Sequence, residues 1–217
     1  MKFGAPYEDL RELISALEKD GKLLRIRKEI NKDTELHPLV RWQFRGLKEE
    51  NRKAFLFENV TDSKRRNYRG SVLVGGLAAS SAIYCLGLKC SAEEVADRWL
   101  YAMDHPLEPE VVSHGPVQEE IHKGKELLSH GGFAEFPIPI STPGFDNGPY
   151  ITAGHWITKD PETGRRNVGN YRGLIKSPGL SGIMAGTPQD LSSHWEKCRK
   201  RGIPLEVAVA VGTVPAV

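Results

Sequence analysis

The sequence predicts a mixed α/β (α+β) chain in two lobes, and three observations carry that prediction. Short apolar or alternating runs, "KLLRIRKEI", "AFLFENV" and "SVLVGGL", are interleaved with stretches of helical periodicity through the first part of the chain. Seven of the fourteen prolines then fall between His105 and Tyr150. Proline lacks a backbone donor and resists helix interiors and central strands, so this segment reads as a connector with short edge strands at most. From Tyr150 onward, two extended runs flank a turn, and a helix feeds a strongly apolar strand. With 217 residues, 39% of them apolar, the chain can bury one large core or two small ones, and the connector favours two.

The elements follow in order. In "YEDLRELISALEKDG", Leu10, Leu13, Ile14 and Leu17 fall at helical spacing and Gly21 lies just past the end of the pattern, predicting an amphipathic first helix. "KLLRIRKEI" alternates, with Leu24 and Ile26 on one face and Arg25 and Arg27 on the other, as a half-buried strand does. A helix around Leu36 to Lys48 precedes strands at "AFLFENV" and "SVLVGGL", and Gly75-Gly76 closes the latter in a tight turn. Two more helices follow, at "SAIYCLGL" and at "SAEEVADRWLYAM", the second with Ser91 as cap and Glu94 completing the capping box. The lobes divide as 1–125, with the Pro-rich connector starting near 105, and 126–217.

In the second lobe, "YITAGHWITKD" and "NVGNYRGLI" flank "PETGRR", where Asp160-Pro161 and Gly164 supply hairpin turn chemistry. The next helix is expected to start with Thr187 as N-cap, Pro188 at its first position and Asp190 at its third, and to close at Gly202 before the strand Leu205 to Val211. The tryptophans Trp42, Trp99 and Trp195 read as packing residues on apolar helix or strand faces, with Trp156, on the hairpin, set apart as the exception. His105, His114, His122 and His130 lie scattered through the connector without metal-ligand spacing and read as surface or turn residues.

Thirty Lys and Arg against twenty-eight Asp and Glu leave a net charge of +2, too balanced to point to nucleic acid or an acidic membrane as partner. Cys85, Cys90 and Cys198 have neither zinc nor redox-motif spacing and read as reduced, packed thiols. No apolar stretch approaches the ~20 residues needed to span a bilayer. The expectation is a soluble, cytoplasmic protein.

The return segment of the hairpin carries Asn167, Asn170 and Arg172, which a purely structural strand does not need. They are either polar residues on a solvent face or the wall of a site. Four stretches bear on this choice: "DLRELISALEKDGKLLRI", "PIPISTPGFDNGPYITAG", "TKDPETGRRNVGNYRG" and "PLEVAVAVG". In this order they resemble the UbiD family of reversible decarboxylases, "DPETG" followed by "NVGNYR" being the most specific match.

The resemblance implies an N-terminal α/β lobe followed by part of a split β-barrel flavin-binding domain. It implies prenylated FMN held through its phosphate by Mn²⁺ or Mg²⁺, with K⁺ nearby, and an aromatic, phenolic-type carboxylic acid as substrate. Decarboxylating such an acid leaves charge orthogonal to the π system, which no side chain delocalises; the cofactor supplies the electron sink and the protein supplies orientation and charge. By the same resemblance Asn167 is a metal ligand, its amide oxygen suiting a hard cation, and Arg172 is the arginine of a catalytic Glu-Arg-Glu set. Gly169, Asn170, Tyr171, Arg172 and Gln189 line the flavin, and Thr152, on the opposing strand, reaches substrate.

Two departures from the family pattern are visible. Asp190 stands where the family places a metal-binding His, and is either a metal ligand or a helix cap, with His194 one turn on as an amphipathic surface residue and reserve ligand. The family's acidic metal ligand and catalytic glutamates lie beyond the "VAVAVG" strand, so the expectation is a part of such an enzyme, working as a homo-oligomer or with a partner chain that carries the remainder. A non-catalytic assembly subunit and an FMN-binding flavin reductase are the competing readings.

Overall fold

The computed structural model describes residues 3–186 and 188–215. Helix α1, Leu10–Lys19, starts where the Asp9 carboxylate accepts from the Glu12 N–H at 2.8 Å, while the Glu12 carboxylate reaches back to the Glu8 N–H at 2.8 Å. These two bonds satisfy donors that the first turn would otherwise leave open. The strand predicted at "KLLRIRKEI" is two: β1, Leu23–Ile26, and β2, Ile30–Asn31, belong to different sheets. Its expected alternation also fails, since Leu24 is exposed and Arg25 is half-buried. Arg25 is held in place by Glu18 at 2.6 Å and Glu58 at 2.5 Å, and that carboxylate pair outweighs the hydrophobic pattern.

Helix α2, Leu36–Gly46, precedes β3, Ala54–Phe57, which is buried along its whole length. β3 pairs in parallel with β1 and antiparallel with β6, Val72–Val74. A smaller sheet joins β2 to β4, Val60–Thr61, and β5, Asn67–Tyr68. The all-apolar run "AFLF" is explained by burial on both sides. Ala54 packs with Tyr7, Leu13, Leu17, Ala79 and Ile83 under α1 and α3 (Ser81–Leu88), whereas Phe55 and Phe57 pack with Ile30, Leu36, Val40 and Val60 under α2. Phe57 is fully buried, a transfer worth roughly 1.5–3 kcal/mol. Buried Gln43 bonds both the N–H and the C=O of Lys53, so α2 is pinned to the entry of β3 with no amide atom left open.

Helix α4, Val95–Asp104, begins later than expected: Glu94 is its N-cap, though its carboxylate does return to the Ser91 N–H at 2.9 Å. No α4 residue is buried, and Trp99, Leu100 and Met103 are exposed. Trp42 and Trp195 are exposed as well, so only Trp156 among the four tryptophans is a core residue. The connector contains a short helix, α5, Lys125–Ser129, and 3₁₀ turns at Pro116–Gln118 and Gly132–Glu135 rather than edge strands.

The second lobe holds two three-stranded antiparallel sheets. One has the order β11-β10-β7, built from β7, Tyr150–Ile151, β10, Gly173–Ser177, and β11, Leu180–Ile183. The other has the order β12-β8-β9, built from β8, Gly154–Lys159, β9, Arg166–Asn170, and β12, Val207–Val211. Helix α6, Asp190–Lys200, packs on β8 and β9. Its start corrects the predicted cap: Gln189 is the N-cap without a side-chain bond, Asp190 is the first helical residue, and Thr187 lies outside the described residues.

Candidate functional site

The hairpin forms where the sequence places it. Asp160 accepts from the N–H groups of Glu162 and Thr163, and its own N–H donates to Arg165 O at 2.9 Å. Gly164 takes φ +74°, a conformation strained for any residue with a side chain. The Asp160 carboxylate then receives the Lys197 ammonium from α6 at 2.6 Å. That ion pair first, and the Glu162 N–H second, hold its pKa down to about 2.

The strands do not run on as long rods. β7 pairs with β10 and β8 pairs with β9, and the breaks at Thr152–Ala153 and Tyr171–Arg172 pass both strands together from one sheet to the other. Trp156 fills this corner, buried and donating from Nε1 to Tyr171 O at 2.9 Å. A Cβ at Gly173 would lie 2.6 Å from the Trp156 ring, and one at Gly154 would lie 2.7 Å from Ile151, so both glycines are demanded by the corner.

Register sorts the predicted site residues. Asn167 lies opposite Thr158 and Gly169 opposite Trp156, which puts these four on one face. On that face buried Thr158 bonds His194 of α6, Oγ1 to Nδ1, at 2.9 Å, and His194 Nε2 stands 4.0 Å from Asp160. His194 is therefore a buried strut between helix and hairpin, not the surface histidine expected from its spacing. The Asn167 amide nitrogen is buried without a hydrogen-bond partner, and so is the Gln189 amide oxygen, at the foot of α6. Two unpaired buried amides on packed elements are costly in a protein that holds nothing there.

The remaining predicted residues stand around this face. Tyr171 turns its ring over Gly169, where a Cβ would lie 2.7 Å from it. Asn170 pairs opposite His155 and is exposed on the other face, so it does not converge with Asn167. Arg172 sits at the corner: Nη2 is 3.4 Å from Asp146 and its guanidinium lies 4.4 Å from the Tyr150 ring centre. Its side chain is 59% exposed, which leaves most of its five donors available to a carboxylate. Thr152 is exposed in the break between β7 and β8 rather than on a strand. Asp190 is exposed at the first position of α6 and supplies no cap.

Residue-by-residue reading missed two supports. Asp146 accepts from Thr142 N–H at 2.7 Å and so presents its other oxygen to Arg172, and Arg41 of α2 clamps the same loop through Ser141 O and Thr142 Oγ1, each at 2.7 Å. Asp146 was legible as the acid of "GFDNGP"; Arg41, a hundred residues away, carried no signal. Beside them burial pushes the His37 imidazole below its usual pKa. The fold also gathers His122, His130 and Glu135, which their spacing did not suggest.

Comparison with known proteins identifies the family of the chain. Residues 14–103 match the N-terminal domain of 3-octaprenyl-4-hydroxybenzoate carboxy-lyase and residues 110–217 match its Rift-related domain. The chain belongs to the UbiD family. Among UbiD relatives, the phenolic acid decarboxylase of Streptomyces sp. (strain D7) is 30% identical over 96% of this chain and 44% of its own length. The UbiD-class enzyme HmfF of Pelotomaculum thermopropionicum, solved in complex with FMN, superposes with a TM-score of 0.81 at 30% identity, over 96% of this chain and 43% of that one. The vanillic acid decarboxylase of Sedimentibacter hydroxybenzoicus in its closed form gives a TM-score of 0.79 at 27% identity, over 97% and 44%. The chain thus spans less than half the length of the UbiD relatives it matches. Among the described residues no helix is long and apolar enough to cross a membrane.

Proposed function

We propose that the chain forms the N-terminal α/β lobe (1–125) and part of the split-barrel flavin lobe (126–217) of a cytoplasmic UbiD-class carboxy-lyase. Its substrate is an aromatic, phenolic-type carboxylic acid, its cofactor prenylated FMN, and its ions Mn²⁺ or Mg²⁺ with K⁺ nearby. The observation that carries this reading is the pair of unpartnered buried amides, Asn167 on β9 and Gln189 at the N-cap of α6, the helix that packs on β9. A half-turn of the Asn167 amide exchanges its nitrogen for its oxygen at the unsatisfied position. Both groups then offer hard carbonyl oxygens, which fit a cation holding a phosphate. Asp190, exposed and idle as a cap, supplies a carboxylate at the same helix start.

When bound, the flavin supplies the electron sink that the side chains lack. Arg172, steadied by Asp146 and Tyr150, holds the substrate carboxylate through two parallel N–H donors and orients it. Thr152 lies beside the same corner within the break that Arg172 faces across the sheets. The proton that replaces CO₂ comes from a carboxyl group acting as general acid, in an enzyme that works as a homo-oligomer or with a partner chain.

The test uses the chain assembled into its complete enzyme. Asn167→Ala should weaken Mn²⁺ binding, read by electron paramagnetic resonance, by at least ~10-fold. The melting temperature of its metal-free form should stay level or rise, because an unpaired buried amide has been removed. Arg172→Lys should keep full flavin and Mn²⁺ content yet lose at least ~10²-fold in turnover. Overlapping Mn²⁺ titrations of wild type and Asn167→Ala would remove the metal from this face.

A further inference from the structure

The connector carries a cluster that the flavin-site reading does not use. His122, His130 and Glu135 each bring one ligand atom within 4.8 Å of the others. The two imidazole rings meet edge-on, centroids 3.7 Å apart at 86°, and His122 Nδ1 is buried with no hydrogen-bond partner. Three potential ligand atoms held this close, beside a buried imidazole nitrogen with no partner, are unfavourable unless something positive joins them.

The chain is built to bring them together. His130 closes α5, and Gly131 and Gly132 follow at φ +97° and +53°, left-handed conformations that reverse the backbone and carry Glu135 back. A Cβ at Gly132 would lie 2.1 Å from Pro178 O, so this reversal admits only glycine. Phe133 N–H donates to Pro178 O at 2.8 Å, which fixes the turn against the link between β10 and β11. From the first lobe, Arg66 reaches Ala134 O at 2.8 Å. The cluster therefore sits where connector, first lobe and β10 sheet are tied together.

We propose that His122, His130 and Glu135 bind one zinc ion, which closes the connector on itself across α5 and the glycine reversal. Two imidazoles and a carboxylate suit Zn²⁺ and its transition-metal neighbours, whereas Mg²⁺ and Ca²⁺ prefer sets made wholly of oxygen. Three protein ligands leave the fourth tetrahedral position to water. His130 and Glu135 are exposed, so the ion exchanges with solvent, and this clasp is stripped by chelators without unfolding the two cores of the first lobe.

The experiment titrates the 217-residue chain, freed of metal by chelation, with Zn²⁺ against a chromophoric chelator, with elemental analysis of the dialysed protein. One Zn²⁺ per chain is expected. Its affinity should fall at least ~100-fold in His122→Ala/His130→Ala, more than is lost on removing a mere supporting partner of a ligand. Glu135→Gln, a change at an exposed position that spares the fold, should fall at least ~10-fold. Asn167→Ala should titrate as wild type, which separates this site from the flavin lobe. Co²⁺ added to wild type should give the intense visible bands of four-coordinate cobalt, a reading that needs no variant. Equal zinc uptake by wild type and by the folded Glu135→Gln protein, or a Co²⁺ spectrum like that of the aqueous ion, overturns the proposal and leaves a ring contact only.

Discussion

The two lobes differ in where their apolar side chains end. In the first, β3 is covered on both faces and two clusters of six buried residues each close around it. In the second, β12 pairs with β8 alone among the described residues, and Val207, Val209 and Val211 remain exposed on the face they share with Trp156 and Thr158. Its buried residues are few, and the polar ones among them are tied to α6: Thr158 bonds His194, and Asp160 bonds Lys197. The first lobe is held by burial, which is non-directional and tolerant. The second is held by a corner, a turn and an ion pair, which are directional and keep surfaces free for a ligand or another chain.

The largest expected effect tests the first half of that contrast. Phe57→Ala, at a fully buried position in β3, should cost ~3–5 kcal/mol in chemical unfolding. Val209→Ala on the open face should cost under ~0.5 kcal/mol in this chain. Equal losses would mean that β12 is already packed.

A smaller effect probes the corner. Gly173→Ala places a methyl 2.6 Å from the Trp156 ring and 3.0 Å from Ser181 Oγ, and overpacking of this kind costs ~1–3 kcal/mol. The loss should be accompanied by a shift in Trp156 fluorescence and by faster amide exchange in β8 and β10, with α1 and β3 unchanged. Exchange that rises equally in both lobes would show one cooperative unit and erase the contrast.

The smallest effect is read from pH. The Asp160 carboxylate titrates at about 2 in the folded chain, held down by Lys197, against ~3.9 for an unfolded Asp. A lowered folded pKa gives stability that is complete above pH ~4 and is lost as pH falls toward 2. Asp160→Asn should flatten that part of the acid unfolding curve for the hairpin while the cores around β3 respond as in wild type. An unchanged curve would take Asp160 and Lys197 out of the lobe's support.

This contrast also explains what could be read in advance. Local signals were enough for α1, with its stripe of Leu13 and Leu17, for the strand at β3, and for the Asp160–Gly164 turn. They failed where a distant partner decides the outcome. Arg25 is drawn inward by Glu58, His194 by Thr158, and Arg172 is placed by Asp146, which Arg41 steadies through its loop. The roles proposed for Asn167, Gln189 and Arg172 came from the family pattern rather than from periodicity, because a strand pleat does not reveal which of its polar residues has been left unpaired.

The shared bend of the two strand pairs has a consequence for how such chains vary in length. Between Asn167 and Arg172 the chain must reach the sheet crossing with Asn167 and Gly169 toward α6. One inserted residue there would exchange the two faces and carry Arg172 off Asp146. The turn at 160–165 lies outside that constraint, tied to α6 and the residue after it by side chains, through Asp160, Glu162 and the Pro161 carbonyl. Insertions and deletions should therefore gather in the turn, and the five-step count from Asn167 to Arg172 should behave as a fixed ruler, resistant to change even where the residues between them are free to differ.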